Sequence, residues 1–133
     1  MAKKKDDLQT TGKRKRAIAR VIVKAGEGKV IVNGKEPVAY FGNRHSTLKK
    51  LDAALELTGN LGKKDIIAKV SGGGLVGQAD AVAHAISRFL ASTKETLRNT
   101  IKAAGMLTRD SRIKESKKYG RKKARKRFQF SKR

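Results

Sequence analysis

DIIAKVSGGGLVGQADAVAHAISRFLA, residues 65–91, holds the signals on which the fold turns: a strand, a glycine turn and a helix. Asp65 to Ser71 reads as a strand, and the clearest helix of the chain runs from about Leu75 to Ala91. Ala79, Val82, Ala83, Ile86, Phe89 and Leu90 fall on one face of it, with Asp80, His84, Ser87 and Arg88 on the other. Between the two, Gly72-Gly73-Gly74-Leu75-Val76-Gly77 fits the G-x-G-x-x-G pattern of dinucleotide sites. That site also needs a following strand ending in an acidic residue about 20 positions on, whereas the region after Leu90 reads as helix. A P-loop needs a Lys-Ser or Lys-Thr pair, which does not follow Gly77. The remaining reading is a tight strand-to-helix turn whose backbone N–H groups are open to an RNA phosphate.

Upstream, Ala17 to Lys24 is rich in β-branched residues and ends at Ala25-Gly26-Glu27-Gly28, a strand followed by a turn. Lys29 to Val32 is a second strand, and Asn33-Gly34 suits a two-residue turn with positive φ at both central positions. Pro37 restricts any returning strand to a short edge piece. Ser46 is placed to cap a helix carrying Leu48, Leu51 and Leu55, with Gly59 at its end. Downstream, Leu97, Ile101 and Ala104 mark a further amphipathic helix that stops at Gly105. From Arg109 onward the pattern ceases. Arg121-Lys122-Lys123-Ala124-Arg125-Lys126-Arg127 would put charge on every side of a helix, so this segment is expected to be ordered only by a partner.

Charge separates the same regions. The 133 residues carry 34 Lys and Arg against 11 Asp and Glu, a net of +23. Residues 1–20 hold +6, residues 21–108 hold +6 and residues 109–133 hold +11. A near-normal body with basic extensions follows, and self-repulsion on this scale calls for a polyanion, nucleic acid above all. The apolar fraction of 38% is low for a globular domain and concentrated in the body. With no Cys, disulfides, thiolate metal sites and Cys nucleophiles are excluded. Apolar stretches such as Val21 to Val23, Val30 to Val32 and Ile66 to Ala68 are too short for a membrane span or a cleavable signal, so a soluble protein with no membrane partner is expected.

Catalytic, cofactor and metal sites are not expected. His45 and His84 lack metal-type spacing, and His84 falls on the polar helix face. Asp52 and Glu56 share a helical face, but Lys49 three residues before Asp52 makes a solvated charged face the simpler reading. The positive signal is Lys13-Arg14-Lys15-Arg16, together with a C-terminal segment that interleaves cations with Tyr119, Phe128 and Phe130. Aromatics stack on unpaired bases while cations neutralise phosphates, a combination suited to folded RNA. A solvated tail or an importin-type signal is the plainer alternative.

Thr11-Gly12-Lys13-Arg14-Lys15 with Ala17, Val32-Asn33-Gly34-Lys35, Tyr40-Phe41, Gly72-Gly73-Gly74 with Gly77-Gln78-Ala79, Leu107-Thr108-Arg109-Asp110, Lys117-Lys118-Tyr119-Gly120 and the ending Gln129-Phe130-Ser131-Lys132-Arg133 stand in an order and spacing that resembles the small-subunit ribosomal protein S-nine family, in its bacterial or organellar form. Ser111 departs from the Pro usual there, and Lys114-Glu115-Ser116 from a more usual Val-Glu-Arg. The resemblance implies an α/β (α+β two-layer) fold, a mixed sheet packed on helices with a left-handed β-α-β crossover and an extended basic tail. It divides the chain into a basic N-terminal segment (1–10), a body (11–108) and a tail (109–133). Its implied partners are small-subunit rRNA, peptidyl-site tRNA and neighbouring proteins of the subunit head, in the cytoplasm. Read together with the cation pattern, the expected rRNA contacts are Lys13, Arg14, Lys15, Arg16, Gly72, Gly73, Gly74, Gly77, Gln78, Arg109, Arg112, Lys117, Lys118, Tyr119, Arg121, Lys122, Lys123, Arg125, Lys126, Arg127 and Phe128. The implied tRNA contacts are Ser131, Lys132 and Arg133. A free-standing nucleic-acid-binding regulator is the alternative, and a nucleotide-dependent enzyme built on Gly72 to Gly77 a weaker third.

Overall fold

In the computed structural model, which describes residues 9–130, the elements in chain order are β1 (Gln9–Arg14), β2 (Ala17–Ala25), β3 (Val30–Val32), α1 (Pro37–Phe41), α2 (His45–Leu57), β4 (Lys64–Ser71), α3 (Leu75–Thr93) and α4 (Glu95–Ala103). The strands form an open mixed sheet in the order β1-β2-β4-β3, with β3 parallel to β4 and the other pairs antiparallel. Strand alternation turns Ala17, Ala19, Val21 and Val23 of β2 and Ile66, Ala68 and Val70 of β4 to one face, where all are buried. Helix α3 lies on that face through Ala79, Ala81, Val82, Ala85, Ile86, Phe89 and Leu90, and α2, α4 and α1 close the layer with Leu51, Leu55, Ile101 and Phe41. Alanines on both strand and helix shorten the distance between the layers. The three strands and the two clearest helices follow the expected positions.

Strand β1 was not expected, because Gln-Thr-Thr-Gly-Lys-Arg has no apolar alternation. It pairs antiparallel with β2 from Gln9 to Arg14 and is seated on α3. The Thr10 hydroxyl donates to the Ala85 carbonyl at 3.0 Å, and Arg88 donates to the Thr11 carbonyl at 2.6 Å. Gly12 permits this approach: a Cβ there would sit 1.9 Å from the Ala81 carbonyl oxygen and 2.6 Å from the Ala85 nitrogen.

The Asn33-Gly34 turn forms as expected, with φ of 51° and 78° and two backbone hydrogen bonds between Val32 and Lys35. Asn33 does more than turn the chain. Its side chain accepts from the Val70 amide at 2.9 Å and donates to the Val70 carbonyl at 3.1 Å, continuing the pairing of β4 past the end of β3. From there a polar chain runs to the Tyr40 hydroxyl, to the Gln78 amide and back to the Gly72 carbonyl.

Three expectations are corrected. Pro37 opens helix α1 instead of limiting a strand, because a first-turn N–H is unneeded and the fixed φ suits a helix. Ser46 is not a cap: α2 begins at His45, after Arg44, with no side-chain cap. Ser87, expected on the polar face, is buried, with its hydroxyl returned to the Ala83 carbonyl at 2.9 Å.

Candidate nucleic-acid interface

Of the four cations at residues 13–16, Lys13, Lys15 and Arg16 are exposed and Arg14 is not. Arg14 sits at the end of β1 with its guanidinium 3.1 Å from Asp110 and 3.8 Å from Asp80, and it donates to the carbonyls of Asp110 and Arg112. Lys50 reaches Asp80 at 3.1 Å from α2, and Arg112 closes on Asp110 at 2.7 Å. A second grip lies three residues before Asp110, where His84 Nε2 donates to the Leu107 carbonyl at 3.1 Å and leaves its buried Nδ1 without a partner. His84 is thus half-buried against the root of the tail and not on a solvated face. Met106 and Leu107 pack on the core beside it. Arg14, one of the expected rRNA contacts, holds the tail root to the body.

Asp110 is held far below the ordinary carboxylate value of 3.8, first by the Arg112 side chain, then by the Arg112 backbone N–H, with Arg14 adding to it. A depressed carboxyl contributes stability above its unfolded value and loses it as pH falls toward the folded one. The tail root is therefore expected to stay closed down to the 3.8 of a free carboxyl and to loosen below it. Asp65, whose carboxylate accepts from the amides of Lys29, Gly28 and Glu27, is also lowered from 3.8 and should release that turn only below that value. Amide exchange of residues 27–29 and 110–112 across an acid titration checks both, and protection that persists to the lowest pH would contradict them.

The glycine turn meets the β1–β2 hairpin. Gly72 and Gly73 have φ of 73° and 66°, and Cβ atoms there would lie 2.6 Å from the Arg16 carbonyl oxygen and 3.0 Å from the Ala17 nitrogen. These glycines serve a close backbone approach, and the strand a dinucleotide site needs after α3 is absent among the described residues, where α4 follows instead. The turn also brings Lys15 and Arg16 next to exposed Gly72, Gly73 and Gly74. Gly77 and Gln78, expected at the RNA surface, are buried: Gly77 faces the Arg14 carbonyl and Ala17, and the Gln78 amide is spent on Tyr40 and Gly72. Asp52 on α2 is half-buried, and burial first, with Glu56 second, pushes its carboxyl up.

Residues 109–130 form neither helix nor strand after the root. Glu115 draws Lys118 to 2.6 Å and Arg125 to 2.9 Å, Arg121 donates to the Arg125 carbonyl and the Lys122 amide to the Lys126 carbonyl, so residues 115–126 fold back on themselves. The Lys118 contact, ahead of Arg125, holds the Glu115 carboxyl low. Among the described residues only Arg14, Lys50, Arg112, Lys118 and Arg125 lie within ion-pair distance of a carboxylate. Arg109, Lys117, Lys122, Lys123, Lys126 and Arg127 are exposed, as are Tyr119, Phe128 and Phe130. Exposed aromatics among unneutralised cations match single-stranded and folded RNA. Ser131, Lys132 and Arg133 lie outside the described residues.

Asp80, Asp110 and Lys50 were missed as site residues. The scarcity of acid in so basic a chain was the signal for the two carboxylates, both of which lie within ion-pair distance of Arg14. The family model described as ribosomal protein S9/S16 matches residues 12–133, from the glycine that seats β1 through the whole tail. With that match spanning both the body and the tail, the chain belongs to the ribosomal protein S9/S16 family, structural rather than enzymatic proteins of the ribosome that bind rRNA.

Proposed function

We propose that this chain sits in the head of the small ribosomal subunit of a bacterial-type, cytoplasmic ribosome, with its body (residues 11–108) and the basic segments before and after it on rRNA and neighbouring proteins, and its last residues on peptidyl-site tRNA. The observation that carries this reading is the double grip of Arg14 on Asp110 and His84 on Leu107, which fixes to the body the root of a cationic tail with exposed aromatics. The hairpin cations Lys13, Lys15 and Arg16, the turn Gly72 to Gly74 and the tail cations form the rRNA surface. Arg14, Gly77 and Gln78 act inside the fold to shape it. From the root, the 21 residues after Arg112 can extend roughly 70 Å, enough to pass beyond the body to a ligand at the subunit surface.

Lys132 and Arg133 would meet tRNA phosphate, a contact that carries no base information. Removing both is expected to weaken peptidyl-site tRNA by about 1–3 kcal/mol and to a similar degree for different tRNAs, with incorporation into the subunit intact. Subunits reconstituted with the shortened chain and titrated with several tRNAs test this. Wild-type tRNA binding, or a block in assembly, would count against it.

A further inference from the structure

Apart from Asp65 and Lys13, the sheet face turned away from the helices takes no part in the contacts described above. Its registers place Ile22, Ile67 and Ile31 in one row across β2, β4 and β3. The next row sets Arg20 directly opposite Lys69, and the one after sets Ile18 between Lys13 and Ser71. Ile18, Ile31 and Ile67 are 40%, 39% and 37% exposed. Like charges directly opposite in an antiparallel pair destabilise it, and Arg20 and Lys69 have no carboxylate within ion-pair distance among the described residues. Asp65, in register with Lys24, is the one acid of these rows, and its carboxylate is taken up by the amides of residues 27–29. The face therefore joins Lys13, Arg20, Lys24 and Lys69 to a strip of isoleucine without internal compensation.

We propose that this open face is a second rRNA-binding surface, on which phosphate bridges Arg20 and Lys69 and the riboses of the same strand rest on Ile22, Ile67 and Ile31. The inference rests on rRNA being the partner of this family. Charge complementarity selects RNA: an anion between Arg20 and Lys69 removes a repulsion that the free protein carries, and the adjoining apolar row accepts the less polar faces of sugars and bases. An acidic protein segment is the competing occupant.

The test uses the full-length chain, in-vitro-transcribed small-subunit rRNA and the double variant Arg20→Gln with Lys69→Gln. The free variant is expected to melt at or above the wild-type temperature, since it loses a like-charge pair, while its rRNA affinity falls roughly tenfold and the slope of log affinity against log salt becomes shallower by about two. Lys94→Gln with Lys102→Gln removes the same charge from the N-cap and last turn of α4 and is expected to cost less than threefold. Ultraviolet crosslinking of the wild-type complex should attach nucleotides to peptides spanning residues 18–24 and 64–71. Equal losses from the two double variants, without such crosslinks, would overturn the proposal in favour of bulk charge. Strands that gain protection only when the other small-subunit proteins are added would overturn it in favour of a protein occupant. Wild-type chain that does not bind the rRNA overturns this and the proposed function together, whereas normal binding by both wild type and the Arg20/Lys69 variant overturns this inference alone.

Discussion

Gly12→Ala is expected to destabilise the protein by about 3 kcal/mol, at the upper end of the cost of overpacking. The new methyl would lie 1.9 Å from the Ala81 carbonyl oxygen and 2.6 Å from the Ala85 nitrogen, both backbone atoms in the middle of α3. Neither can turn aside as a side chain can, so β1 has to lift from the helix. Lifting it breaks the Thr10 and Arg88 hydrogen bonds and moves Arg14, which holds the tail root. For a body of this size the melting temperature should fall by roughly 15 °C. Gly77→Ala is the control, because its Cβ would meet the Arg14 carbonyl at 3.6 Å and Ala17 at 3.8 Å, ordinary contact distances, on a helix that favours alanine. Thermal denaturation followed by circular dichroism separates the two. A Gly12→Ala chain that melts like wild type would mean that β1 does not depend on its seat against α3.

A chain ending at Arg112 is expected to keep the fold and to lose three or more orders of magnitude in rRNA affinity at moderate salt. It lacks eleven of the 34 Lys and Arg residues and one acid, yet retains every group that Arg14 holds and all the helices and strands. If the full chain neutralises about ten phosphates, its log affinity should fall against log salt with a slope of roughly −7 to −9, and the shortened chain should give about −3. Shortening further to Thr108 removes Asp110 and Arg112, leaves Arg14 with Asp80 alone, and should lower the melting temperature relative to the chain ending at Arg112. Filter binding over a salt series and thermal melts of the three chains measure both halves. An unchanged salt slope would show the tail to be solvated in the complex, and a lost cooperative transition at Arg112 would show that the tail supplies core.

The sequence by itself determined the elements whose signals are local. Strand alternation in residues 17–24 and 65–71, helical spacing in 75–91 and around Leu97 and Ile101, and the paired positive φ of Asn33-Gly34 depend on neighbours within a few residues, and the structure keeps them. The absence of helix and strand after Arg109 among the described residues was legible for the same reason, since cations on every side leave no face to bury. Only the tertiary structure decided which of four adjacent cations is internal. In sequence Lys13, Arg14, Lys15 and Arg16 are equivalent; in the fold, strand parity turns Arg14 toward α3, where Asp80 and the distant Asp110 meet it. It also decided that a polar hexapeptide becomes β1, because that strand pairs with β2 and is seated on the backbone of a helix 75 residues later. Gly77 and Gln78 belong to the same class: their composition suits a phosphate-binding turn, but the hairpin and Tyr40 fill the space and the hydrogen bonds an RNA would need. The pairing of Arg20 with Lys69 is the last such case, for nothing near either residue in the chain predicts that two cations will stand opposite each other until antiparallel pairing of β2 and β4 fixes the register.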